Sequence, residues 1–328
     1  MVNYRCNAAC RHCLYACSPT RREGYITEDK ISYLCRLLVK GNIGSVHIGG
    51  GEPFLDFQGL LMVIRALSKA GIRLDYIETN AFWARNPSCA EYLELLQKEN
   101  VQALCISIDP FHAEYVPWAY PIELARACDK QGMGYFLWKQ DFLRVLSRLD
   151  ANTRHTRPEI ESALSPEYVK KTASAYGISL GGRAVNIEQE YNKARPAESL
   201  LDNGSVGNNV SNEPNESKGF KEPCKNLLST GHFHVDLEAY FIPPGCTGLR
   251  LPLGELLTGI EGSYPVFEAL YSGGIAALFE LASHHGFLPD KKGYVSKCNL
   301  CFHIRKYLAS RGFSELDEDF YAEALKYY

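Results

Sequence analysis

Three cysteines stand at Cys6, Cys10 and Cys13, separated by three and then two residues, in the opening stretch MVNYRCNAACRHCLYACSP. The chain shows no export signal, and thiols clustered in such a chain suit metal binding or catalysis better than disulfides. Cysteine thiolates are the usual ligands of iron–sulfur clusters. A four-iron cubane held by only three thiolates keeps one iron without a protein ligand, and a substrate or cofactor can chelate that open corner. The three thiols must then come from one short loop curled around a face of the cluster, which these spacings allow. Zinc is the other chemistry the trio permits, with Cys17 or His12 as a fourth ligand.

Four further cysteines form a second set. Cys224 and Cys246 bracket an expected hairpin, and Cys298 and Cys301 form a CxxC pair some fifty residues on. Two distant thiols plus a CxxC make a four-ligand site, for structural zinc or for an iron–sulfur cluster. The other five of the twelve cysteines (Cys17, Cys35, Cys89, Cys105, Cys128) are scattered. Cys105, inside VQALCISI, reads as a small buried hydrophobe.

The elements that must position these thiols alternate. Short apolar runs at 45–48, 74–79, 101–108, 133–140 and 178–185 read as strands, and MVNYRC as the first strand. Between them lie helical patterns. ITEDKISYLCRLLVKG has Thr27 as N-cap and Gly41 as stop, and DFQGLLMVIRALSKAG and PSCAEYLELLQKEN behave alike. Strands alternating with helices predict parallel βα units, and about six of them suit a partial TIM-like (β/α)6 barrel over residues 1–185. Residues 186–222 are rich in Asn, Ser, Gly, Glu and Pro, which predicts a polar, flexible linker. Residues 223–328 form a smaller α+β domain, in which GHFHVDLEAYFIPPGC alternates like a hairpin and CNLCFHIRKYLASRG enters a helix.

The chain has 328 residues, 46% of them hydrophobic and 22% charged, enough to bury a core. A net charge of -3 gives no electrostatic reason for a nucleic-acid or anionic-membrane partner. No apolar run is expected to reach the ~20 residues of a membrane span, and a cytoplasmic location follows.

CxxxCxxC resembles the signature of the radical S-adenosylmethionine (SAM) superfamily. The resemblance continues in Gly50, Gly51 and Glu52 of HIGGGEPFLD, which match the family's strand-end GGE. It implies that Cys6, Cys10 and Cys13 hold a [4Fe-4S] cluster whose open iron binds SAM. It also implies that Gly50, Gly51 and Glu52 take SAM's amino group. Strand-end residues Thr79, Asn80, Ser107 and Asp109 would then touch the ribose and methionine of SAM, and Lys139 its carboxylate. GGRAV (181–185) would meet adenine through its backbone, and His112 would face the substrate. For Asn80 and Asp109 a helix cap or turn is the plain alternative. A solvated lysine is the plain alternative for Lys139.

EPCKNLLSTGHFHVDLEAYFIPPGC resembles the SPASM/twitch domains, with DLEAY where the family's turn usually has dpdG. That implies one auxiliary [4Fe-4S] cluster on Cys224, Cys246, Cys298 and Cys301, in a shorter, twitch-type domain. The chemistry so implied is reductive cleavage of SAM to a 5′-deoxyadenosyl radical, then hydrogen abstraction from a substrate carbon. With the auxiliary cluster this would oxidise or cross-link a peptide side chain, as in peptide maturases. The alternative is a dehydrogenase or epimerase acting on a small molecule. A chain beginning at the barrel favours that alternative, unless a separate leader-peptide-binding protein acts in trans. A flavodoxin or ferredoxin would supply electrons. A metal-binding scaffold without catalysis is the remaining class, and it has no need of the GGE segment.

Overall fold

The computed structural model describes residues 1–164, 170, 181–201, 223–224, 227 and 231–327. Its first half is a βα alternation, starting with α1 (Glu28–Lys40), β1 (Ser45–Ile48), α2 (Phe57–Lys69) and β2 (Arg73–Thr79). It continues through α3 (Cys89–Lys98), β3 (Ala103–Ser107), a short α4 (Pro110–Ala113), α5 (Ala119–Gln131) and β4 (Gly134–Trp138). Two further helices, α6 (Phe142–Leu146) and α7 (Arg157–Leu164), follow.

The helices begin where their caps dictate. Thr27 accepts from the Lys30 amide at the start of α1, Gly41 closes that helix, and Asp56 accepts from the Gly59 amide at the start of α2. Each amphipathic face then packs on the sheet. Leu60 of α2, Leu93 and Leu96 of α3, and Leu104 and Ile106 of β3 are fully buried in one core. Each such side chain contributes roughly 1.5–3 kcal/mol.

The four strands are parallel in the order β1-β2-β3-β4, with Ile48 opposite Ile77, Thr79 opposite Ile106 and Ser107 opposite Trp138. This register brings all four carboxyl ends to one edge of the sheet, where βα folds place their sites.

Two of the six expected strands differ from expectation. Residues 2–5 are extended and bonded to the loop after β1, as Val2 N–H to Gly49 O (3.1 Å), Gly51 N–H to Asn3 O (2.8 Å) and Glu52 N–H to Arg5 O (3.0 Å). They therefore pack on the loop after β1 and form no strand of their own. The stretch 178–185 lies partly outside the described residues, and its described part is a turn entering helix α8 (Ala184–Ile187).

Residues 186–201, expected in the polar linker, are built into the protein. Ile187 is fully buried, and α9 (Glu198–Leu201) and the residue before it bury Leu200 and Ala197. The rest of the expected linker, 202–222, lies outside the described residues.

Beyond it come β5 (His234–Val235), β6 (Tyr240–Ile242) and β7 (Leu251–Pro252), an antiparallel sheet in that order. The helices α10 (Leu253–Thr258), α11 (Pro265–His284), α12 (Lys297–Ala309) and α13 (Glu318–Leu325) follow. Leu270, Leu278, Leu300, Leu308 and Phe320 centre a second core.

Helix α11 corrects the expectation about membrane spans, being long and apolar enough by length and composition to cross one. It is kinked where Gly274 leaves helical geometry, and it buries Val266, Leu270, Leu278 and Ala282 against the second core.

Candidate active site

Residues 6–18 close into a loop, with Cys6 N–H bonded to Ser18 O at 3.1 Å. Cys6, Cys10 and Cys13 lie on it and line one cavity of about 400 Å³ at the carboxyl edge of the parallel sheet. Gly50, Gly51, Glu52, Thr79, Asn80, Ser107 and His112 line the same cavity. The trio and most of the expected strand-end residues are thus brought together.

The glycines serve the protein's own backbone. A Cβ on Gly51 would fall 2.0 Å from Arg5 O, and one on Gly50 would fall 2.6 Å from Asn3 O, with Gly50 at a φ of 140°. The loop after β1 therefore lies directly on the segment leading into the cysteine loop, and no side chain fits between them.

Glu52 is buried, and its oxygens accept from Phe54 N–H (3.1 Å), Thr79 Oγ1 (2.9 Å) and Asn80 N–H (2.8 Å). Burial pushes its carboxyl up to about 7, against those three hydrogen bonds. An ammonium group brought beside it would supply the opposite charge that burial makes it lack. That is the electrostatic fit expected for the amino group of SAM.

Hydrogen bonds reach two of the thiol sulfurs directly. Cys6 Sγ accepts from Ala8 N–H at 3.4 Å and from Asn80 Nδ2 at 3.7 Å, and Cys13 Sγ accepts from Cys17 N–H at 3.3 Å. Burial raises Cys6 and Cys10. Cys13 is instead held well below the usual thiol range by a hydrogen bond from the Cys17 side chain, with Arg183 adding to it against burial. Three sulfurs lining one cavity, two of them met by N–H donors, are a donor set that suits an iron–sulfur cluster.

Arg183 holds this loop, a role its sequence context did not announce. It is fully buried; Nη1 donates to Cys10 O (2.7 Å), Nη2 to Cys17 O, and its own amide to Cys13 O (3.1 Å). Gly182, with a φ of 58°, packs so tightly that a Cβ there would meet Leu14 O at 2.1 Å. The GGRA segment therefore clamps the cysteine loop. Arg183→Ala leaves two inward-facing carbonyls without their donor, at about 1–3 kcal/mol each. The expected result is a lower unfolding midpoint and iron lost from the first site, read by iron analysis after anaerobic reconstitution. Arg183→Lys restores the charge but not the fork, so it should rescue only in part.

Asp109 and Lys139 take places other than those expected. Asp109 caps α4, accepting from the amides of Phe111 and His112, and its Oδ2 lies 2.5 Å from His112 Nδ1. It does not line the cavity, but it aims His112 into it. Burial opposes charge on His112, yet Asp109 and then Cys10 outweigh it and hold the imidazole well above its ordinary value. Lys139 lies outside the cavity lining, over the Trp138 ring at 5.6 Å from its centroid.

The cavity has a second wall that sequence reasoning missed, made of His47, Tyr76, Glu78, Cys105, Trp138, His232 and His234. Burial first, then the neighbouring imidazoles, lowers His47 to about 4 and His234 to about 3. The alternation of GHFHV in the sequence was the available signal.

The second cysteine set also converges. Cys246 follows a turn after β6, and its side chain is hydrogen-bonded to Cys224, while Cys298 and Cys301 sit one turn apart at the start of α12 and interact with Cys224. Arg305, buried beneath them, donates to Thr247 O (3.0 Å) and to the Cys301 side chain. None of the twelve cysteines forms a disulfide.

Comparison with known proteins agrees with the first site. The chain is 31% identical over 116 residues to YydG of Bacillus subtilis (strain 168), provisionally named a peptide biosynthesis protein, covering 35% of this chain and 36% of YydG. It is 30% identical over 107 residues to molybdenum cofactor biosynthesis protein 1 of Bos taurus, covering 32% of this chain and 16% of that one. These matches span about a third or less of the relatives' lengths. The crystal structure of Streptococcus suis SuiB bound to S-adenosylmethionine aligns with 84% of this chain and 66% of that one, at 14% identity and a TM-score of 0.36, too weak a likeness to bear on function. Residues 2–131, which hold the cysteine loop, Glu52, Asn80 and Ser107, match the model of the radical SAM superfamily, and this part of the chain is a radical SAM domain.

Proposed function

We propose that this enzyme reductively cleaves SAM and modifies a peptide, oxidising or cross-linking one of its side chains. The observation that carries the reading is a single cavity lined by Cys6, Cys10 and Cys13 on one side and by Glu52, Thr79, Asn80 and Ser107 on the other. Cys6, Cys10 and Cys13 would hold a [4Fe-4S] cluster. When bound, it supplies the electron that breaks the sulfonium C–S bond and yields a 5′-deoxyadenosyl radical.

The chain's own residues do the rest. Glu52 takes the methionine ammonium of SAM, while Asn80 and Ser107 border the space for its remaining polar groups. His112, fixed by Asp109, presents its imidazole to the cavity. The surrounding walls keep out water and competing hydrogen donors. Cys224, Cys246, Cys298 and Cys301 would hold an auxiliary [4Fe-4S] cluster; four thiols over the buried Arg305 cation suit an anionic centre. A flavodoxin or ferredoxin serves as reductant, and a separate protein can present the leader peptide. Similarity to YydG supports a peptide over other substrates.

The test is anaerobic incubation of the reconstituted enzyme with SAM, dithionite and short peptides encoded beside its gene. The expected result is 5′-deoxyadenosine formed in proportion to a peptide that has lost hydrogen. Turnover of a small molecule with every peptide left unchanged would replace this reading with the dehydrogenase or epimerase alternative. Similarity to molybdenum cofactor biosynthesis protein 1 lends support to that alternative.

A further inference from the structure

Three histidines meet on the cavity wall away from the cysteine loop. His47 belongs to β1, His234 opens β5, and His232 lies two residues before it. Side chains two residues apart on an extended segment share a face, and this face meets β1. The ring centroids form a nearly equilateral triangle, with His47–His232 at 5.2 Å, His47–His234 at 5.3 Å and His232–His234 at 4.9 Å. One nitrogen from each ring lies within 4.8 Å of the other two. Glu78 of β2 sets Oε1 3.5 Å from His47 Nε2. Tyr76 stacks on His47 at 4.8 Å, and Tyr15 meets the edge of His234 at 5.3 Å, so the rings are buttressed from outside the triangle.

From these positions we infer that His47, His232 and His234 bind a first-row divalent cation of the Zn²⁺ class, with Glu78 as an oxygen donor. The geometry supports a single ion. The point equidistant from the three centroids lies about 3 Å from each, and zinc bound to imidazole at ~2.0–2.1 Å stands about 3.2 Å from the ring centre. Three imidazoles and a carboxylate are a donor set that zinc accepts in four-coordinate form, and imidazole also suits iron, copper and nickel. The ion would tie the hairpin of β5 and β6 to β1. It would also stand on the wall shared by the active-site cavity and a neighbouring cavity of about 340 Å³, both of which are lined by all three histidines and Glu78. This site uses no residue of either cysteine set, so it stands or falls separately from the proposed function.

The test loads the full chain, already reconstituted with iron and sulfide, with Zn²⁺ and removes the excess over a chelating resin. The expected result is about one zinc per chain, with a K-edge absorption spectrum fitted by nitrogen and oxygen at ~2.0 Å. His232→Ala removes an exposed side chain and spares the core. It should weaken zinc binding at least tenfold and remove the zinc-dependent rise in unfolding midpoint, and His47→Gln should do the same. A sulfur first shell, zinc binding unchanged in both variants, or no zinc retained by the parent protein would overturn the assignment.

Discussion

Cys13→Ala is expected to abolish release of 5′-deoxyadenosine from SAM under strong reductant. Loss of even an outer-shell partner of a metal ligand costs 10–100-fold, so loss of the ligand itself should exceed about 100-fold. The structure says why no neighbour replaces it. Cys13 Sγ receives the Cys17 amide at 3.3 Å and lies on the loop clamped by Arg183 through the carbonyls of Cys10 and Cys17. That loop cannot slide to offer another sulfur without breaking those bonds. Cys17 is the informative companion. Its thiol is pushed well above the usual range, by burial first and then by its bond to Cys13, and it stands outside the CxxxCxxC trio. Cys17→Ala should therefore retain most SAM cleavage. Equal loss in Cys13→Ala and Cys17→Ala, with zinc bound in place of iron, would mean a closed four-ligand site and end the catalytic assignment. Anaerobic product analysis and metal content decide the matter together.

What could be read in the sequence was what is local. Thr27 and Gly41 bound α1 as expected, because a cap is decided by a few adjacent residues. The runs at 45–48, 74–79, 101–108 and 133–140 all became strands, because apolar stretches between helical patterns have one stable use in a βα chain. The cysteine trio and Glu52 were visible because their spacing is itself the signal.

What depended on packing between distant segments was not visible. Arg183 reaches back about 170 positions to the carbonyls of the cysteine loop, and no pattern near residue 183 announces that. The GGRA segment was expected to offer its backbone to adenine, and in the structure it is occupied by Leu14 and Cys13. Asp109 illustrates the reverse error. Its position at a strand end suggested a ligand contact, while the plainer helix-cap reading describes where it sits. Residues 186–201 looked polar in composition, yet three apolar side chains there (Ile187, Ala197 and Leu200) are buried and anchor the stretch to the two cores. Composition averages over a window, whereas burial is decided residue by residue.

The second large effect concerns the other cysteine set. Cys298→Ala is expected to leave SAM cleavage within about threefold of the parent while substrate conversion falls at least about tenfold. Cys298 is the exposed member of its set, in the first turn of α12, so truncation opens no cavity in the second core. It leaves Cys224, Cys246 and Cys301 as a three-thiol site over the buried Arg305. Arg305 keeps two carbonyl contacts, to Cys246 O at 3.4 Å and Thr247 O at 3.0 Å, whether or not a cluster is present. Its charge, however, then lacks the anionic centre the proposal places above it, and a buried charge stripped of its partner costs about 3–5 kcal/mol. A lower unfolding midpoint should therefore accompany the loss of turnover, and iron should fall from about eight to about four per chain. SAM cleavage survives because the first site, built on residues 6–18 and clamped by Arg183, shares no ligand with the second. Normal product formation in Cys298→Ala would make the second site structural, and about four irons with one zinc in the parent protein would make it a zinc site.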